Sequence, residues 1–148
     1  MAPKLTWPQA DGTYCKLGDF SSASRDQLYA AWLDPEVVGK VIDGVATIDP
    51  SVGGSYKLGR RMSGSIADLQ PSKRIVLALH GPALPKGAPI THAFIDITDD
   101  GKGSKLDLAH IGLPSMKVAK AYLALWQGWV RAVCKAATRI RVARGPKR

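Results

Sequence analysis

The sequence predicts an α+β domain in which an antiparallel sheet of about six to seven strands packs against one long C-terminal helix. Three observations carry that expectation. From Ser115 onward, Val118, Tyr122, Leu125, Trp126, Trp129, Val133, Ala137 and Ile140 recur at three- and four-residue steps, the period of a helix with one apolar face. Between Val45 and His110 the pattern changes to short apolar runs separated by Gly, Pro and Asp, which reads as strands and turns. At 148 residues the chain is long enough for one substantial core and too short for two. An aromatic stripe of this size must be buried, and the strands upstream are what it can pack on. A sheet wrapped around a helix often leaves a cavity between them, and a functional site is expected there.

Residues 1 to 12 are expected to form a flexible arm, because Pro3, Pro8 and Gly12 discourage regular structure. Thr13 to Phe20 is the first strand. Ser24 and Gln27 make a capping box, and Leu28, Ala31 and Trp32 supply the apolar face of a short helix behind it. Asp34-Pro35-Glu36 opens a second short helix with a cap, a proline at the first helical position and an acid in the first turn. That helix carries Val37, Val38 and Val41 and ends near Asp43-Gly44. Val45 to Ile48, Ser55 to Leu58 and Ser63 to Leu69 are successive strands. Arg74 to Leu79 is almost continuously apolar, which suits an interior strand. Gly81 to Pro89 reads as a Pro/Gly-rich loop. Ile90 to Ile97 and Lys105 to His110 flank Asp99-Asp100-Gly101-Lys102-Gly103, a hairpin signal. Ser115 is placed to cap the long helix. One domain is expected over residues 13 to 143, with 144 to 148 as a basic tail.

The net charge of +9 is unevenly distributed. Residues 1 to 116 hold twelve Lys and Arg against twelve Asp and Glu, whereas residues 117 to 148 hold nine basic residues and no acid. The basicity therefore belongs to the last helix and its tail, where cations oppose the helix dipole or offer a patch to an acidic partner. Nucleic-acid binding is disfavoured, because no aromatic platform interleaves with the basic residues. No window approaches the roughly 18 to 20 apolar residues of a membrane span, and the N-terminus lacks the apolar centre of a secretory signal. Two cysteines, Cys15 and Cys134, imply no disulfide framework and are expected as buried thiols of a cytoplasmic protein. Gly53-Gly54 precedes neither a Lys-Ser/Thr pair nor a helix, so it reads as a turn or bulge and not as a phosphate loop.

Several stretches now form an ordered set: Tyr29 to Glu36, Ile48 to Tyr56, Gly64 to Leu69 with Pro71, and Arg74 to Val76. Gly103 to Leu106, Leu108 to His110, Gly112 to Pro114, and Tyr122 with Gly128-Trp129 complete it. In order and spacing the set resembles the START-like superfamily, also called SRPBCC, over roughly residues 13 to 140. It is most similar to bacterial proteins that resemble the C-terminal domain of the heat-shock ATPase activator. The resemblance implies a helix-grip fold like that of the birch pollen allergen, a curved sheet gripping the C-terminal helix, with two short helices after the first strand. It also implies a range of roles: cavities for apolar or aromatic molecules, cyclase-type enzymes, and stimulation of a chaperone ATPase. Such a family constrains fold far better than function. The basic tail and the aromatic Trp126-Gln127-Gly128-Trp129 stretch depart from its pattern.

The expected function is binding of a small hydrophobic or aromatic molecule in the cavity between sheet and helix. Trp32, Met62, Leu108, His110, Tyr122, Leu125, Trp126 and Trp129 are the candidate lining residues. His110 shares the strand phase of Leu106 and Leu108, so it is expected to face inward, where a neutral imidazole could bond a ligand. His80 and His92 fall on the opposite phase, which argues against a three-histidine metal site. Gly128, inside a helix at a cost of about 1 kcal/mol relative to alanine, suggests the close approach of a neighbouring ring or backbone. Asp96 and Asp107 are expected to face solvent across the last hairpin. Asp68 is the acid or base to test if it points inward. No nucleophile motif is present, and no cofactor or metal is expected. The alternatives are a protein-interaction module of the chaperone-activator kind and a cyclase or dehydratase using the same cavity. A homodimer through an exposed sheet edge is left open.

Overall fold

Local capping explains how the chain turns its first corner in the computed structural model, which describes residues 13–59, 62–80 and 90–140. The expected arm at 1–12, the Gly81 to Pro89 loop and the basic tail lie outside the described residues. Strand β1 (Thr13–Ser21) leads into helix α1 (Arg25–Trp32) and then α2 (Pro35–Ile42). At the start of α1 the Gln27 N–H donates to Ser24 Oγ at 3.1 Å, and the Ser24 N–H donates to Gln27 Oε1 at 2.9 Å. These bonds satisfy reciprocally the donors that a helix start leaves free. Asp34 caps α2 through the Glu36 N–H at 2.9 Å. Six strands follow: β2 (Ala46–Ile48), β3 (Ser55–Leu58), β4 (Met62–Gln70), β5 (Arg74–His80), β6 (Thr91–Asp100) and β7 (Gly103–Leu113). Helix α3 (Met116–Ala136) comes last and closes in a 3-10 turn (Ala137–Arg139), so the α-helix stops before Ile140. Its first turn is capped by Ser115, whose Oγ accepts from the Val118 N–H at 3.2 Å.

All seven strands pair antiparallel in the order β1-β7-β6-β5-β4-β3-β2. Helices α1 and α2 carry the chain from one edge of the sheet to the other, and the hairpins bring it back until β7 pairs with β1. Gly53 and Gly54 serve the β2–β3 connection. Gly53 has φ +86, and a Cβ on Gly54 would sit 2.3 Å from the Asp49 carbonyl oxygen. Pairing directly opposite residues sorts the side chains into two faces. His110, Ala93, Leu77 and Ile66 form one inner row, and Leu108, Ile95 and Ile75 the next. These are buried in one core with Tyr122, Trp126, Trp129, Val130 and Val133 of α3. Helix α3 therefore lies in the grip of the sheet, as the helix-grip expectation requires.

The outer face overturns one expectation. Asp96 is buried on it and does not face solvent. The β5–β6 register sets Arg74 directly opposite Asp96. Arg74 Nη2 donates to one carboxylate oxygen at 2.9 Å, and its Nε bonds the other. The same register logic sets Asp96 opposite Asp107. Two carboxylates so placed repel unless each has a cation. Arg74 supplies one, and Lys105 supplies the other at 3.7 Å.

Candidate functional site

The site is built around a histidine that the strand alternation turns inward. His110 is completely buried on β7, and both of its ring nitrogens are engaged. The Trp126 indole N–H donates to His110 Nδ1 at 3.0 Å. An indole nitrogen can only donate, so Nδ1 must be the bare nitrogen and Nε2 carries the proton. That proton faces Thr91 Oγ1 at 2.7 Å, and the Thr91 hydroxyl donates onward to the Leu79 carbonyl at 3.1 Å. The chain Trp126–His110–Thr91–Leu79 thus fixes the tautomer without a charge. Burial holds the His110 pKa down at about 3, helped by the nearby His92, so the imidazole is neutral near pH 7.

Aromatic rings extend this chain along α3 and into α1. The His110 ring meets Tyr122 edge-on, with centroids 4.8 Å apart, and Trp126 at 6.0 Å. Trp126 in turn contacts Trp129 at 5.4 Å and Trp32 at 6.2 Å. The structure therefore brings together five of the predicted residues: Trp32, His110, Tyr122, Trp126 and Trp129. Leu108 is buried one inward position along β7. Met62 is buried on the same face but three strands away, on β4. Leu125 is half-buried, packed against the margin of the core.

Two polar atoms in this cluster stand out. The Trp32 indole N–H and the Tyr122 hydroxyl are buried and have no hydrogen-bond partner among the described residues. Burial also raises the Tyr122 pKa, so its hydroxyl keeps its proton. Tyr56 differs from Tyr122. It is equally buried, but its hydroxyl donates to the Trp32 main-chain oxygen at 2.7 Å. Neither Thr91 nor Tyr56 was singled out from the sequence, although both alternate in phase with buried neighbours, Ala93 and Ile95 for Thr91 and Leu58 for Tyr56. That alternation was the available signal.

Other candidates fall elsewhere. His80 and His92 lie on the outer phase of β5 and β6. Among the described residues no group of three or more His, Cys, Asp or Glu is placed to hold a metal ion. Asp68 pairs with the outward Val76 after a bulge at Ala67, so it does not point inward, and it accepts from Gln70 Nε2 at 3.2 Å. Gly128 contradicts its expectation: a Cβ built there meets nothing within 4 Å, and the residue is exposed. Cys15 and Cys134 are both buried, and desolvation pushes their thiols up to about 11 and about 12.

Comparison with known proteins gives this geometry a setting. Residues 22–135 match the model of the family described as Activator of Hsp90 ATPase homolog 1-like protein. No curated protein matches the sequence significantly. Among solved structures, an HSP90 activator from Plasmodium falciparum superposes with a TM-score of 0.73 at 19% identity, covering 82% of this chain and 94% of that one. The Aha1 dimer from Colwellia psychrerythraea gives a TM-score of 0.72 at 14% identity, covering 85% and 96%. CalU16 from Micromonospora echinospora gives 0.64 at 18% identity, covering 85% and 79%. At such identities the likeness is one of fold. No helix among the described residues is long and apolar enough to cross a membrane.

Proposed function

The chain belongs to the Activator of Hsp90 ATPase homolog 1-like family, and we propose that it binds a small, neutral, largely apolar molecule bearing an acceptor oxygen between the sheet and α3. The pair of buried donors without partners, Trp32 Nε1 and Tyr122 Oη, carries this reading. Leaving a buried donor unpaired costs about 1–3 kcal/mol, and an interior tends to satisfy such groups with protein, water or ligand. A carbonyl, ether or hydroxyl oxygen on a bound molecule would satisfy either donor. Trp32, Tyr122, Trp126, Trp129, Leu108 and Leu125 would supply apolar contact, with His110 holding the Trp126 ring and Met62 farther along the same face. Affinity would come mainly from burial, at roughly 25 cal/mol per Å² of apolar surface.

Neutrality of the ligand follows from the groups around the donors. His110 stays uncharged, and Tyr122 keeps its proton. An anion would meet no compensating cation in this cluster and would bear a large desolvation penalty. Both His110 nitrogens are already committed, so the arrangement favours binding over acid–base catalysis. Titrating the intrinsic tryptophan fluorescence with a planar bicyclic ketone and with the matching carboxylate tests the proposal. The ketone should bind and raise the melting temperature, the carboxylate should not, and Tyr122→Phe or Trp32→Phe should each weaken the ketone about fivefold or more. Equal binding of the two compounds, or failure of every neutral apolar compound in such a panel, refutes it. A second reading, an interaction module, is supported by the family and by a cationic strip on the solvent side of α3.

A further inference from the structure

The strip and the sheet edge beside it form one feature. Among the described residues strand β1 ends the sheet and pairs only with β7, so the main-chain groups along its other side have no strand partner there. A groove of about 490 Å³ runs between Leu17 to Asp19 of β1 and Ala124 to Arg131 of α3. It continues, through the shared Asp19 and Arg131, into one of about 700 Å³ between Phe20 to Ser22 and Cys134 to Arg139. Residue numbers rise together along both walls, so strand and helix run the same way along the trench. Ser21 Oγ donates to the Cys134 carbonyl at 2.6 Å and pins the two walls together.

Charge and spacing then specify an occupant. Arg131, Lys135 and Arg139 are exposed on the helix wall at four-residue steps, and none has a carboxylate partner among the described residues. Asp19 is the acid on the opposite wall, and its carboxylate is engaged by the Phe20 N–H at 2.8 Å. The α-helical step from Arg131 to Lys135 rises about 6 Å, and Arg139 follows in the 3-10 turn that closes the helix. Alternate residues of an extended strand, which share one face, are about 6.6–6.8 Å apart. Gly128 lines the first groove with open space where a Cβ would stand, which keeps the helix surface low along the path. Beside it, Phe20 is 61% exposed on the edge strand.

We infer that this trench binds an extended acidic peptide, with acidic residues at alternate positions facing Arg131, Lys135 and Arg139 and its backbone adding to the free edge of β1. This is β-strand addition, in which main-chain bonds give affinity and alternate side chains give selectivity. The trench favours a peptide over a nucleic-acid strand because the edge of β1 offers main-chain donors and acceptors that a peptide backbone can pair with and a phosphodiester backbone cannot. The inference does not depend on the interior ligand, because the trench lies on the solvent side of α3.

Fluorescence anisotropy with the full chain and a labelled ten-residue peptide alternating Glu and Thr tests it. The peptide should bind, and binding should weaken as salt rises. Arg131→Glu with Lys135→Glu should weaken it about tenfold or more, while Lys117→Glu with Lys120→Glu at the far end of α3 should change it less than twofold. Gly128→Gln should fill the trench and weaken binding while the melting temperature holds or rises. The same peptide with one central Thr replaced by proline should bind worse. The inference is overturned if the alternating peptide does not bind, if both charge reversals act equally, or if an oligothymidylate or a phosphatidylserine vesicle binds more tightly than the peptide.

Discussion

Two tyrosines on the inner side of this fold offer a sharp internal comparison, because the same substitution should act oppositely at each. Tyr56 and Tyr122 are both buried. The Tyr56 hydroxyl donates at 2.7 Å to the Trp32 carbonyl, one of the last-turn acceptors that α1 cannot satisfy itself. Tyr56→Phe strips that carbonyl of its donor in the core and should destabilise the protein by about 1–3 kcal/mol. Tyr122→Phe instead removes a hydroxyl that has no partner, while the ring keeps its edge contact with His110. It should be neutral or stabilising, by up to about 1 kcal/mol. For a chain of this size each kcal/mol moves the melting temperature by about 3–4 °C. Heat and urea melts of protein refolded from denaturant, to strip any bound molecule, should therefore show Tyr56→Phe lower by about 3–12 °C and Tyr122→Phe level or higher. With a saturating neutral ligand the Tyr122→Phe advantage should disappear. Equal losses for the two variants in stripped protein would refute the reasoning, since the Tyr122 hydroxyl would then have a partner inside the protein itself.

Acid should reveal His110. Its folded pKa of about 3 lies below the unfolded value near 6.5, so the unfolded chain binds more protons between these limits. Stability should be complete above pH 6.5 and fall by up to about 1.4 kcal/mol per pH unit below it; a His110 imidazole NMR signal, assigned by its loss in His110→Gln, that titrates near pH 6 contradicts this. Arg74→Met leaves Asp96 buried without its cation and should cost about 3 kcal/mol in urea melts, largely recovered in Arg74→Met/Asp96→Leu. A loss under 1 kcal/mol for the single variant would show that the pair is solvated. Because burial raises both thiols, Cys15 and Cys134 should resist Ellman's reagent at pH 8 until guanidinium unfolds the protein. Rapid reaction of one equivalent in the native state would contradict their placement.

What could be read from the sequence divides along a physical line. The capping box at Ser24, the proline start at Asp34, the β6–β7 turn and the stripe on α3 are local signals, and each marks an element that forms. The inward turn of His110 was also legible, because strand alternation needs only its neighbours Leu106 and Leu108. What meets His110 was not. Thr91 reaches Nε2 only because the hairpin register sets Ala93 opposite His110 and so brings Thr91 alongside. Trp126 reaches Nδ1 only because α3 docks at one height on the sheet. Asp96 departs from its expected exposure for the same reason. Alternation correctly turned it away from α3, but outward is not the same as solvated when Arg74 arrives from β5 beside Val76 and Phe94. Gly128 is the strongest case. Helix propensity marks it as a cost, yet whether that cost makes room for a neighbour or for a groove depends on β1, more than a hundred residues earlier. Both proposed sites arise from such distant pairings: the interior one where α1 and α3 meet over β7, the outer one where α3 runs beside the edge of β1. Patterns a few residues long can announce the walls of each, and only the register between walls decides which polar atoms are left without partners.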